Sequence, residues 1–166
     1  MKTAPIVAAN TQIGVLLIGT GFVGYFFKEL RDYNSGNSIL TDDDAYDRGA
    51  YGRFEFYLFS TCIGVIISVL SILGAATGIV GKMGAGLAMA AVHALWALQL
   101  LVSTALMAKV LATYEENVFQ CETWEALKLD LNCKHLIGGV VCGFIGAVIF
   151  MVNTVVYLFW SRKSTE

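Results

Sequence analysis

The chain has 166 residues, 57% of them hydrophobic and 14% charged, with a net charge of −2 and a single proline. A soluble domain carries about 25% charged residues, so this composition excludes an ordinary soluble domain. It also excludes a nucleic-acid binder, which needs a basic patch. The apolar residues gather in blocks long enough to cross a bilayer, for which about 20 residues suffice.

The first block, Pro5 to Phe27, follows one lysine, Lys2. It is longer than the apolar core of a signal peptide, usually about 7–15 residues, and no convincing small-residue cleavage site follows it. It is expected to be an uncleaved first helix, with a signal peptide as the alternative. Pro5 suits a first helical turn, where its missing N–H costs nothing. The polar stretch Lys28–Arg53 comes next and leads into TDDDAYDRGAYGRFEF, Thr41 to Phe56. Counted from Asp44, this segment imitates a calcium loop, with Gly49 at position six and Glu55 at position twelve. Positions three and five need oxygen ligands; here they are Tyr46 and Arg48, and a guanidinium repels a cation. A solvated loop without bound metal is expected instead. Tyr51 and Phe54 then become interface rings, since aromatics collect at the membrane–water boundary, with Arg53 at headgroup level.

The second block runs from Phe54 to Val80, the third from Ala85 to Leu111 and the fourth from Leu136 to Trp160. A short turn, Gly81–Gly84, joins the second and third, and a polar loop, Ala112–Lys134, precedes the fourth. No block shows the period-two alternation of a membrane barrel strand. The expected fold is an all-α membrane protein, a four-transmembrane-helix bundle forming a single domain over residues 1–166. Its helices cover about 5–27, 54–80, 85–111 and 136–160, with outer loops 28–53 and 112–134.

Basic residues near helix ends set topology. The termini and the short turn carry Lys2, Lys82, Arg162 and Lys163 against one acid, Glu166. Lys28–Arg53 holds six acids and four bases, and Ala112–Lys134 five acids and two bases. Both termini are therefore expected in the cytoplasm, with the acidic loops facing outside or a lumen. Trp160, Arg162 and Lys163 would anchor the last helix at anionic headgroups. Cys121 and Cys133 share the second outer loop, whose compartment would be oxidising. A Cys121–Cys133 disulfide is expected, with two free thiols as the alternative. Twelve residues of straight helix would part their Cα atoms by about 18 Å, against roughly 4.4–6.8 Å in a disulfide. The loop must then reverse between them.

Polar groups inside a membrane are costly and mark function or cohesion. Gln12, Ser71, His93 and Asn153 lie on four different blocks, each roughly 9–14 Å from the cytoplasmic end. Some of them are expected to face the bundle interior and hydrogen-bond to one another. A proton path through His93 would need titratable neighbours at that depth, and none accompanies it, so interhelical cohesion is favoured over transport. Gly139, Gly143 and Ala147 recur at four-residue spacing on the fourth block, Gly74 and Gly78 on the second, and Gly86 with Ala90 on the third. Such spacing lets helix backbones approach closely. Trp96 is expected to pack rather than to line a ligand cage.

No catalytic constellation is present. There is no C-x-x-C redox pair, no paired-histidine metal motif and no phosphate loop, so neither an enzyme nor a cofactor is expected. Three tetraspan families fail by motif. The first outer loop lacks the tryptophan and cysteine pair of claudins, the second lacks the Cys-Cys-Gly of tetraspanins, and neither has connexin cysteine triplets. The third block, VHALWALQLLVSTAL, and the fourth, HLIGGVVCGFIGAVIFMVNTVVYLFWSRKS, carry a different resemblance. Small residues, the late Tyr157 and Phe159, the tryptophan–basic ending and the outer-loop cysteine pair are similar to the MARVEL tetraspan family. That family includes the myelin-and-lymphocyte proteins, the physins and gyrins, and occludin. The resemblance implies a non-enzymatic membrane organiser in trafficking, apposition or cell junctions. Its expected partners are membrane lipids, further copies of itself or other membrane proteins, in the secretory pathway, plasma membrane, junctions or vesicles. An accessory subunit of a larger complex, channel or transporter is the alternative.

Overall fold

Lipid offers no hydrogen bonds, so a chain crossing it must satisfy its own backbone N–H and C=O groups, and long apolar blocks fold as helices. The computed structural model describes residues 3–37, 50–79, 83–116 and 133–163. They form four helices: α1 (Thr3–Asn37), α2 (Ala50–Ala76), α3 (Met83–Glu116) and α4 (Cys133–Lys163). All four are long and apolar enough to span a membrane, over Ile6–Tyr33, Tyr51–Ala76, Gly84–Thr113 and Cys133–Arg162.

The helices outrun the apolar blocks. α1 continues past Phe27 to Asn37, through residues expected in the outer loop. Lys28, Glu29, Leu30 and Arg31 are good helix formers, and Leu30 is buried against the bundle. Polarity marks where hydrocarbon ends; it does not stop a helix. The acidic segment resembling a calcium loop lies largely outside the described residues, as does Cys121. Cys62 and Cys142, both within helices, are free thiols.

Adjacent helices are antiparallel around a closed ring: α1 packs on α2, α2 on α3, α3 on α4 and α4 back on α1. The pairs Phe27–Tyr51 and Thr20–Thr61 show the opposed directions of α1 and α2. α2 and α4 run parallel across the diagonal, where Tyr57 donates to the Gly139 carbonyl at 2.6 Å.

The polar residues of the spans are gathered inside, among an apolar core, and the outer surface is apolar. Gln12, Ser60, Thr61, Ser68, Ser71, His93, Ser103, Thr104 and Asn153 are all buried. Leu95, Leu98 and Phe159 are 66%, 62% and 68% exposed. Water would penalise that arrangement; hydrocarbon favours it. Many internal hydroxyls are satisfied within their own helix, as in Ser60 to Phe56 O and Ser68 to Gly64 O, both 2.8 Å. This back-bonding is how Ser and Thr enter membrane helices cheaply.

Small residues on α4 make close packing possible. A Cβ on Gly139 would collide with Val23 Cγ2, and one on Gly143 with Thr104 Oγ1. One on Gly146 would sit 2.9 Å from Leu16 Cδ2 and 3.2 Å from Leu100 Cδ2. Ala147 is buried beside them. Gly86 is buried and Gly74 half-buried. Gly78 differs from the expectation. Its φ of +73° places it in the left-handed region, with open space around it. It ends α2 as a helix cap rather than packing against a neighbour, because a residue without Cβ adopts that conformation without strain.

The interface rings also need correction. Tyr51 and Phe54 are 2% and 0% exposed and belong to the core. Phe54 stacks on Phe26 and Phe27 with centroids 5.9 and 5.3 Å apart, and Tyr51 meets Phe27 edge-on at 5.3 Å. Tyr51, Phe54 and Tyr57 fall at three-residue spacing on the inward face of α2, so helix periodicity buries them together. Arg53 is half-buried and Arg162 exposed, while Lys163 closes α4.

Gly139→Ala should destabilise the bundle by about 1–3 kcal/mol, because Val23 is β-branched and cannot swing aside. Gly14→Ala, which meets nothing within 4 Å, should leave stability unchanged or raise it by up to about 1 kcal/mol, the helix-propensity gain of Ala over Gly. Unfolding in bicelles measures both, and equal losses at the two sites would refute the α4 packing strip.

Candidate functional site

The four polar residues expected inside the membrane are buried at the bundle end that holds the chain termini. Gln12 and His93 are 0% exposed, Ser71 and Asn153 1%. Each comes from a different helix. Asn153 Nδ2 donates to Gln12 Oε1 at 2.9 Å, joining α4 to α1. Ser71 hydrogen-bonds the Tyr157 hydroxyl, joining α2 to α4. His93 Nδ1 donates to the Met89 carbonyl at 2.8 Å, within α3. The His93 ring lies 5.4 Å from Phe150 and 5.1 Å from Tyr157, centroid to centroid. Phe150, Asn153 and Tyr157 occupy one face of α4, so His93 sits against the turns that flank Asn153.

The hydrogen bonding of this layer is incomplete. Gln12 Nε2, Asn153 Oδ1 and His93 Nε2 are buried without a partner. Because a carbonyl can only accept, His93 carries a proton on Nδ1, and in the neutral ring Nε2 is then an acceptor. No acidic side chain is buried among the described residues, so no counter-charge there holds a second proton on the ring.

A second polar anchor ties α2 to α3, the least extensive contact of the ring. Trp96 Nε1 donates to the Ser60 carbonyl at 2.9 Å, and Gln99 Nε2 reaches Ser60 Oγ at 3.5 Å. Trp96 thus packs and hydrogen-bonds at once. At the loop end the His135 ring contacts Phe22 and Tyr25, with centroids 5.8 and 5.3 Å away.

Chemically, the Gln12–Asn153, Ser71–Tyr157, Trp96–Ser60 and Gln99–Ser60 contacts are hydrogen bonds between helices. Among the described residues, no group of three His, Cys, Asp or Glu side chains is placed to hold a metal ion. Tyr57 and Tyr157 were not foreseen as part of this cohesion. Tyr157 lies four residues after Asn153, one turn along the same helix face. That spacing was the available signal.

A family model described as MARVEL, a membrane-associating domain, matches residues 2–156, a range covering α1 to α3 and most of α4. The chain belongs to the MARVEL family. No curated protein and no solved structure matches it. A MARVEL domain indicates a membrane-associated protein linked to membrane apposition or trafficking. The family is membrane-organising and non-enzymatic. Four candidate spans make this MARVEL chain an integral membrane protein whose helices contact lipid.

The Gln12–Asn153 pair is testable by a double-mutant cycle with Gln12→Leu and Asn153→Leu. A coupling of about 0.6 kcal/mol, the average for interhelical hydrogen bonds in bilayers, is expected, with an upper bound near 1.7 kcal/mol. Unfolding free energies in a bilayer supply the four corners. Strict additivity would show that the contact contributes nothing.

Proposed function

We propose that the protein organises membranes by lateral packing of its helical bundle and by contacts of its outer loops. The trafficking, apposition or junctional role would be exercised as homo-oligomers or with other membrane proteins in the secretory pathway, plasma membrane, junctions or vesicles. The observation that carries this reading is the four-helix bundle bearing the MARVEL match. Its polar groups are turned inward, while Leu17, Leu95, Leu98, Val148 and Phe159 face outward. Such a surface offers lipid or a neighbouring helix apolar contact and little else.

On this reading both termini are cytoplasmic, as the charge distribution implies, and the acidic loops contact partners on the far side. Cys121 and Cys133 pair in the second outer loop, bracing it. Lateral association would rest on van der Waals packing, since lipid tails supply no hydrophobic drive between helices.

Three measurements test the proposal. Tags placed at either terminus should be digested by protease only after the membrane is permeabilised. A non-reducing gel should show a mobility shift on reduction that Cys121→Ser abolishes. After extraction in mild detergent, native size analysis should return homo-oligomers or assemblies from vesicle or junction fractions. Co-migration with one much larger heteromeric complex would overturn the free-organiser reading in favour of an accessory subunit.

A further inference from the structure

The buried layer near the terminal end holds three unsatisfied atoms of defined type. Gln12 Nε2 is a donor, and Asn153 Oδ1 and His93 Nε2 are acceptors. The Gln12 and Asn153 amides share one hydrogen bond, from Asn153 Nδ2 to Gln12 Oε1; a cyclic pair would share two and leave neither atom over. Turning both amides around exchanges the roles of Gln12 and Asn153 and preserves the balance of one donor and two acceptors. All three side chains are at most 1% exposed, so solvent at the surface does not serve them. His93 packs against Phe150 and Tyr157, which bracket Asn153 on α4, and this brings the three groups to one level of the bundle.

We infer that Gln12, His93 and Asn153 bind one internal water molecule between α1, α3 and α4. Water has the matching hydrogen-bond complement: its oxygen accepts from the Gln12 amide, and its two O–H groups donate to Asn153 Oδ1 and His93 Nε2. Internal waters make about three hydrogen bonds to otherwise unsatisfied buried groups. A cation does not fit, because an amide N–H points positive charge at it and no carboxylate is buried among the described residues. An anion does not fit two acceptors. The water has a structural role beyond satisfying atoms. His93's direct hydrogen bond stays within α3, so the water is what links α3 to the α1–α4 amide pair in this layer.

The test uses the full chain, labelled with nitrogen-15 at histidine, in phosphatidylcholine bilayers. Solid-state NMR with water-selected proton magnetisation reads contact between water and each ring nitrogen. His135→Asn leaves the His93 signals alone for assignment. The expected result is transfer from water to His93 Nε2, and loss of that transfer in Asn153→Leu with the Nδ1 signal retained. Absence of transfer to Nε2 in the parent chain overturns the proposal. So does transfer from the Gln12 amide protons instead, which would mean direct pairing of the two side chains. Unchanged transfer in Asn153→Leu overturns the three-way site.

Discussion

Where α4 lacks side chains, the other three helices close in. Val23 and Leu16 of α1, Tyr57 of α2, and Leu100 and Thr104 of α3 all reach the strip formed by Gly139, Gly143 and Gly146. Between helices in lipid there is no hydrophobic drive, so cohesion comes from close van der Waals contact and hydrogen bonds, and both need short interaxial distances. The strip supplies them. Tyr57 can reach a backbone carbonyl across the diagonal because Gly19 and Gly143 present no Cβ in its way. Further along the same α1–α4 contact, Gln12 and Asn153 come within hydrogen-bonding distance. The polar layer is thus downstream of the glycines.

The two ends of the bundle are built from different chemistry. Toward the loops, Phe26, Tyr51, Phe54, Met107, Val110 and Leu136 make a core contributed by all four helices. Toward the termini, Ala90 and Tyr157 form a small cluster beside the amides and the imidazole. Aromatic stacking tolerates small shifts of geometry, whereas hydrogen bonds weaken steeply when misaligned. The terminal end is held by the amide pair and the Ser71–Tyr157 bond, while at the loop end aromatic packing surrounds the Tyr57–Gly139 bond.

Much of this was visible in the sequence. Block lengths set the number of spans, equal depth pointed to Gln12 and Asn153, and four-residue spacing pointed to Gly139 and Gly143. The misses share one cause. In a bilayer both faces of a helix are apolar, so periodicity does not say which side is buried. Tyr51 and Phe54 could as well have faced headgroups, and only packing against Phe26 and Phe27 decides that they turn inward. Gly78 shares its spacing with packing glycines, yet its backbone dihedral gives it a different task. The end of α1 was hidden because charge at Lys28 signals water, while helix propensity continues through Arg31.

That continuation of α1 has a mechanical consequence. Between Tyr33, where the apolar span ends, and Asn37, the helix advances about 6 Å without a break. Coil absorbs tension as slack, but a helix transmits it. A pull or twist arriving through the first loop is therefore delivered along a stiff rod to Leu30, Phe27 and Phe26. These residues rest on Tyr51 and Phe54 of α2. The root of the loop behaves as a lever whose fulcrum is the aromatic core.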